Sequence, residues 1–183
     1  MAYSSVANYQ ASNSSESAVN TTSRAAAIRQ PQDAETIGGE PVRARLLIDS
    51  HAAGGSSSTV EITMARGADG ATPHYHTLSD ELFYVADGEL QVLAGDKIVT
   101  VGAGGALVVP KFMPHAFGAA PDSPARILIA LTPGVERHGY FRFLERLATG
   151  AATPTDIQDA QQEYDNYFVE APQWWAERTA NRA

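Results

Sequence analysis

The sequence predicts a mainly β protein: one barrel or sandwich of short strands, followed by a helical extension and preceded by a flexible N-terminal arm. Between residues 37 and 133, many short apolar runs alternate with polar residues and are separated by Gly, Asp or Pro. After this region the apolar residues recur at helical spacing instead. We therefore predict an arm over residues 1–36, a β domain over 37–133 and a helical extension over 134–183.

Composition is typical of a single globular domain without covalent cross-links. The chain has 183 residues, 44% of them hydrophobic, and no cysteine, which excludes disulfides and thiolate metal sites. Its net charge of −8 argues against a nucleic-acid partner. No apolar run approaches the roughly 18 residues of a membrane helix, and the N-terminus lacks the pattern of a secretory signal. We therefore expect a cytoplasmic protein with neither a membrane nor a nucleic-acid partner.

The predicted elements follow from turn residues and hydrophobic periodicity. The Ser- and Asn-rich residues 1–36 have no apolar cluster, which predicts the mobile arm, with docking on a partner subunit as the alternative. Strands are predicted at Val42–Asp49, Thr59–Ala65, Leu82–Ala86, Glu89–Ala94, Lys97–Val101, Ala106–Val109, His115–Gly118 and Ala125–Leu131. Turns are predicted at Asp87-Gly88, Gly95-Asp96, Gly102–Gly105 and Pro121–Pro124, and a loop at Gly67–Pro73.

Three helical segments are predicted after the β domain. The first has Tyr140, Phe143, Leu144 and Leu147 on one stripe, and Gly150 is expected to end it. The second follows Thr153 or Thr155 as the N-cap. The last carries Trp174 and Trp175, which we expect to pack this helix against the barrel rather than to contact substrate.

Four residues in the middle of the chain suggest a metal site. His74 and His76 flank Tyr75 in an extended segment, so their imidazoles point to the same side. Glu81 follows five residues after His76 and can add a carboxylate from the next strand. If the sheet folds back on itself, as the short strands predict, His115 can complete the set.

The same residues resemble the two sequence motifs of the cupin superfamily. The spacing HxH-x4-E-x6-G, from His74 to Gly88, is similar to the first motif, and Gly105 to His115, with Pro110 five residues before the histidine, is similar to the second. The resemblance covers roughly residues 60–131. It implies a double-stranded β-helix, or jelly-roll, barrel in which His74, His76, Glu81 and His115 bind a metal. Phe112 and Ala119 depart from the family pattern, where glycine and asparagine are common, and the turn before His115 is the part affected.

The chemistry of these four side chains narrows the choice of ion. Three imidazoles and one carboxylate suit one divalent first-row transition metal per chain: Fe, Mn, Ni, Co, Cu or Zn. An ion that prefers five or six ligands would keep open positions for water, oxygen or substrate. Apolar walls around the site are expected from Phe83, Val85, Val92, Phe112, Met113 and Phe117.

Several other polar residues in or near the predicted site are expected to be structural. His51 and His138 are interpreted as surface or satisfied core histidines. Asp80 is adjacent to Glu81 and therefore faces the opposite side of a strand, which indicates an exposed strand start. Arg66 is expected to be an exposed loop residue, with anion binding at the barrel mouth as its alternative role.

Three functions fit this site. The resemblance to quercetin (flavonol) dioxygenase-type single-domain cupins implies a dioxygenase that uses molecular oxygen on a small flavonol-like or other enol or phenolic compound, with Glu81 as both ligand and catalytic base. The first alternative is Lewis-acid chemistry, as in a polyketide cyclase, an isomerase or a lyase. The second is a non-enzymatic ligand-binding cupin. We also expect a homodimer, because short cupin sheets leave edges that partners commonly cover.

Overall fold

Ten strands and three helices make up the described part of the chain. The computed structural model describes residues 25–153 and 155–180, so most of the predicted N-terminal arm lies outside the described residues. Strands β1 to β10 span Glu35–Gly38, Val42–Ile48, Ser58–Met64, Asp69–Tyr75, Asp80–Ala94, Lys97–Gly102, Ala106–Val109, His115–Ala119, Ala125–Thr132 and Tyr167–Phe168. Helices α1 to α3 span Arg137–Ala148, Asp156–Glu163 and Pro172–Ala180, and Pro31–Asp33 forms one turn of 3-10 helix.

The strands form a curled antiparallel sheet, which is the jelly-roll half-barrel that the sequence predicts. One face of the barrel follows the order β1-β2-β3-β9-β5, and the other continues from β5 through β8 and β4 to β10. The alternation predicted for β3 is confirmed, since Val60, Ile62 and Met64 are all buried in the core. Strand β1 begins at Glu35, so the first strand starts two residues before the predicted β domain, which begins at residue 37.

The prediction of a turn at Asp87-Gly88 is wrong, because β5 runs through it as a single strand of 15 residues. Its first half pairs with β7 and β9, and its second half pairs with β6 and β8. The register shifts between Val85 and Asp87, which marks a β-bulge. Gly88 therefore lies at the bend where β5 passes from one face of the barrel to the other.

Replacing Gly88 by Ala is expected to lower the free energy of unfolding by roughly 2–4 kcal/mol, from left-handed strain plus a steric clash. Gly88 has a φ of +71°, and a Cβ there would lie 1.9 Å from the carbonyl oxygen of Pro124. Gly104 is a matched control, since its φ is +83° but nothing lies within 4 Å of its Cβ position. Denaturant unfolding of both variants would isolate the clash, and equal losses would show that the bulge tolerates a methyl group.

The loop predicted at Gly67–Pro73 is also wrong, because β4 begins at Asp69. Two register shifts interrupt its pairing with β8, which lets a strand contain both a glycine and a proline. At Gly70 a Cβ would lie 2.4 Å from the Phe117 ring, so the glycine permits close packing there. Beyond the bulges the ladder resumes with His74 directly opposite His115.

The helical extension packs on the barrel as predicted. Tyr140 and Phe143 of α1 are buried, and the helix ends at Ala148 before Gly150, whose φ is +75°. Trp174 of α3 is fully buried against Leu93 and Ala116, as predicted, whereas Trp175 is 39% exposed, so the packing prediction holds for one tryptophan of the pair. Within the described residues, no helix combines the length and apolar character that crossing a membrane would require.

Candidate metal centre

The four residues that the motif spacing singled out converge inside the barrel. His74 lies on β4 opposite His115 on β8, His76 follows the end of β4, and Glu81 lies near the start of β5. All four side chains are buried, with 2% or less of each residue exposed. One nitrogen or oxygen from each lies within 4.8 Å of the corresponding atoms of the other three. The structure therefore brings together a group that could hold a metal ion.

Backbone carbonyls orient the three imidazoles so that each Nε2 points toward the centre of the group. The Nδ1 of His74 donates to the Thr72 carbonyl at 2.8 Å, and that of His115 donates to the Met113 carbonyl at 3.0 Å. The Nδ1 of His76 donates to the carbonyl of Asp165. In a neutral imidazole, a hydrogen bond from Nδ1 places the lone pair on Nε2, the arrangement usual for metal-bound histidines.

The Glu81 carboxylate faces two of these nitrogens. Its Oε2 lies 2.7 Å from the Nε2 of His115 and 3.3 Å from the Nε2 of His76. Its Oε1 has no hydrogen-bond partner, and neither do the Nε2 atoms of His74 and His76. Buried polar atoms are rarely left without a hydrogen-bond partner. These potential metal-ligand atoms therefore lack a partner that they could share.

Electrostatics keeps His74 and Glu81 in the protonation states that metal binding requires. Burial, followed by the positive charges of His115 and His76, lowers the pKa of His74 well below its usual value, so this imidazole is neutral. Burial alone would raise the pKa of Glu81. The hydrogen bond with His115 and the electrostatic effect of the adjacent His76 and His115 outweigh burial and hold the pKa of Glu81 well below its usual value, so the carboxyl is ionised.

The spacing of the donor atoms also fits an ion. Two ligands on opposite sides of a first-row metal lie about 4.2 Å apart when each bond is about 2.1 Å long. The observed limit of 4.8 Å exceeds that span by only a few tenths of an ångström. Small side-chain rotations would therefore close the group on one ion.

Asp165 supports the centre from outside, and the sequence analysis did not single it out. Besides accepting from the His76 Nδ1 through its carbonyl, it accepts three hydrogen bonds through its carboxylate. These come from the Thr77 amide and hydroxyl, at 2.9 and 2.6 Å, and from the Leu78 amide at 2.9 Å. Asp165 therefore fixes the segment between two of the candidate ligands, His76 and Glu81.

Replacing Asp165 by Asn is expected to weaken divalent-metal binding by about 10–100-fold, the usual effect of losing a group that orients a ligand. Asn tolerates the left-handed φ of 51° at this position, but its amide cannot accept from all three donors. Competition titration against a chelator measures the affinity. Asp159→Asn, an exposed position on α2, is the control, and an unchanged affinity in Asp165→Asn would contradict the positioning role.

The turn before His115 adopts the shape that a glycine would favour, although Phe112 occupies it. Phe112 has a φ of 66°, and its amide donates to the carbonyl of His76, which ties this turn to the candidate centre. Its side chain is 61% exposed, so the prediction that it forms an apolar wall is wrong. Of the other predicted wall residues, Phe83 and Phe117 are buried and their rings lie 5.3 Å apart, with Phe83 6.3 Å from the His115 ring.

A cavity of about 770 Å³ lies between the barrel and α1. Its lining does not include the four candidate ligands, but it includes residues next to those that orient them. Thr72, whose carbonyl accepts from His74, and Asn166, which follows Asp165, both line it. Arg137 and Tyr140 of α1 also line it, and the sequence analysis had assigned neither a functional role.

The remaining polar candidates lie outside the group. His51 and Arg66 are exposed, as predicted. His138 is buried, and its Nε2 has no hydrogen-bond partner, so the description of it as satisfied is wrong for that atom. Asp80 begins β5, where its carboxylate accepts from the Lys111 amide instead of joining the centre.

The fold and the buried group together define a class of protein. Residues 60–131 match the model of the cupin domain family (Cupin_2), the same stretch that carries the resemblance in the sequence. Among solved structures, KdgF from Halomonas sp. has the same fold. That similarity has a TM-score of 0.52 at 18% identity and covers 62% of this chain and 98% of KdgF. The chain therefore contains a cupin domain, and the domain match and the shared fold support its place in the cupin superfamily.

Two curated relatives are similar over 89 residues, which is 49% of this chain. One is Protein SchB of Streptomyces halstedii, at 30% identity, and the other is the Polyketide synthase CurC of Streptomyces cyaneus, at 29% identity. The matched stretch spans 64% of SchB and 58% of CurC, less than two thirds of either protein.

Proposed function

We propose that this protein is a metal-dependent enzyme that transforms a small, largely apolar molecule bearing carbonyl or phenolic oxygens. The observation that carries the proposal is a buried group of three Nε2 atoms and one carboxylate, in which the Nε2 atoms of His74 and His76 and the Oε1 of Glu81 have no hydrogen-bond partner. His74, His76, Glu81 and His115 would hold one divalent first-row ion. When bound, such an ion polarises a coordinated oxygen and acidifies the protons beside it.

Glu81 is proposed as the catalytic base. Its Oε1 makes no hydrogen bond, while its Oε2 is held by His115 and His76, so one oxygen is available to take a proton. The carboxylate is ionised although it is fully buried, so it is in the form that can accept a proton from a substrate. The buried rings of Phe83 and Phe117 exclude water from one side of the candidate centre. This exclusion strengthens the electrostatic interaction between the Glu81 carboxylate and a proton donor.

Lewis-acid cyclisation or isomerisation of a polyketide-like compound is the reaction that we place first. It is supported by the similarity to the Polyketide synthase CurC, whose name states polyketide chemistry. The cavity beside the centre also has mostly apolar walls, including Ile62, Ile129 and Phe141, which suit a multi-ring carbon skeleton. Proton removal by Glu81 next to a polarised carbonyl would generate the carbon nucleophile for ring closure.

Dioxygenation of a flavonol-like or other enol compound is the second candidate. The observation that favours it is the donor set itself, since three histidines and one glutamate suit redox-active ions such as Fe, Mn, Ni or Cu. Glu81 would act in the same way, taking the hydroxyl proton of the substrate. The two reactions therefore share a base and differ in whether molecular oxygen is consumed.

One comparison separates the candidates. Protein loaded with each first-row ion is incubated with a poly-β-ketone and with flavonols, in air and without oxygen. Ring closure without oxygen supports the cyclase, and oxygen uptake in proportion to flavonol loss supports the dioxygenase. Binding without conversion of any substrate would favour the ligand-binding alternative. The homodimer stays a prediction, which the mass in solution tests.

A further inference from the structure

A buried cation without an anionic partner lies at the cavity between the barrel and α1. Arg137, the first residue of α1, is 4% exposed. Among the described residues its guanidinium makes one hydrogen bond, a 3.3 Å contact from Nη1 to the Asn166 side-chain oxygen, and it lies 4.6 Å from the centre of the Tyr140 ring. Within residues 25–153 and 155–180, no carboxylate oxygen lies within 4.0 Å of it. Burial of an unpaired charge is unfavourable, so this position suits an added anion.

Two neutral hydrogen-bond donors accompany the guanidinium. The Asn166 amide nitrogen is buried and has no hydrogen-bond partner. The Tyr140 hydroxyl makes no hydrogen bond to any described residue, and burial raises its pKa, so it stays protonated and can donate. Arg137, Tyr140 and Asn166 all line the cavity, which places three donors around one part of its wall.

The acid that lines this cavity and the acid of the candidate metal centre do not pair with Arg137. Glu145 lines the cavity, but it is exposed and lies eight residues further along α1, about 12 Å along the helix axis. Glu81 is held by His115 and His76. The charge of Arg137 is therefore left for a ligand.

We propose that Arg137, Tyr140 and Asn166 form a subsite that binds the carboxylate of an aromatic, largely apolar ligand. A planar guanidinium with adjacent amide and hydroxyl donors matches the two oxygens of a carboxylate, and the apolar walls match a ring system. The proposal rests on the proposed function, in that the ligand would be a substrate or product of the neighbouring centre. Thr72 accepts a hydrogen bond from His74, and Asp165, the residue before Asn166, accepts one from His76. These contacts place the subsite beside the candidate metal centre.

Binding of anthracene carboxylate and of its neutral methyl ester, followed by ligand fluorescence, tests the subsite. We expect the metal-loaded wild type to prefer the acid by at least about 10-fold, and Arg137→Gln to weaken acid binding by about 10–100-fold, the usual loss for a charged hydrogen bond. Binding of the ester should change by less than about 3-fold, because it carries no charge. Arg142→Gln is the control, since Arg142 lies on the same helix but pairs with Glu35 on the surface.

Each outcome separates the subsite from the metal centre. Equal binding of acid and ester by the wild type, or unchanged acid binding in Arg137→Gln, overturns the proposal. So does acid binding that disappears with the metal but not with Arg137, because the carboxylate would then bind the ion. If Arg137→Gln does not fold, Tyr140→Phe provides the test, with an expected loss of about 3–10-fold. Acid selectivity that depends on Arg137, without turnover of any substrate, would retain the subsite and reject the proposed enzyme.

Discussion

Replacing Glu81 by Gln is expected to lower turnover by about 10²–10⁴-fold, the usual cost of removing a positioned general base. The amide has nearly the shape of the carboxylate but cannot take a proton, so proton abstraction fails while the site keeps its form. His74, His76 and His115 would still offer three imidazole nitrogens, and three histidines are enough to hold a divalent ion. Most of the bound metal should therefore remain.

Metal content and turnover are measured together on the wild type, Glu81→Gln and Glu89→Gln. Glu89 is a matched control because it lies on the same strand β5 with its side chain exposed. A wild-type rate in Glu81→Gln would reject the base role. Loss of metal in parallel with loss of activity would instead show that Glu81 acts mainly in metal retention.

The sequence predicts those elements whose local side-chain pattern determines their structure. It does not predict features that depend on pairing between strands distant in the sequence. The sequence predicts both halves of β5 as strands, with a turn at Asp87-Gly88 between them. A glycine with positive φ suits a tight turn, and it equally suits the bend beside a β-bulge, so the local sequence does not distinguish the two. The second half of β5 pairs with β8, which lies far from it in the sequence. The residues around Gly88 therefore do not encode this pairing.

The same distinction applies to the candidate centre. His74, His76 and Glu81 lie close together in the sequence, and His115 follows in a second motif, so the set is recognisable from the spacing of the two motifs. Asp165 reaches His76 across 89 residues, from a turn before the two-residue strand β10. Arg137 and Tyr140 are buried residues of α1. Their proposed role in ligand binding depends on their position in the cavity wall, which helical spacing does not indicate. Such contacts arise only from tertiary packing.

Replacing His76 and His115 together by Ala is expected to abolish stoichiometric metal binding. The double variant keeps one imidazole and one carboxylate, His74 and Glu81, and two protein ligands leave most positions of a five- or six-coordinate ion to water. Ligand-linked stability should disappear as well. A metal present at 100 times its Kd stabilises the folded state by about 2.7 kcal/mol, which raises the unfolding midpoint of the wild type but not that of the variant.

Elemental analysis and thermal unfolding with and without added metal measure the two effects in one series. His51→Ala is the control, because His51 is an exposed histidine outside the group. Its metal content and metal-dependent rise in unfolding temperature should match the wild type. One ion per chain retained by the double variant, with the same rise in unfolding temperature, would place the metal elsewhere. The buried, unpaired nitrogens of His74 and His76 would then need another partner.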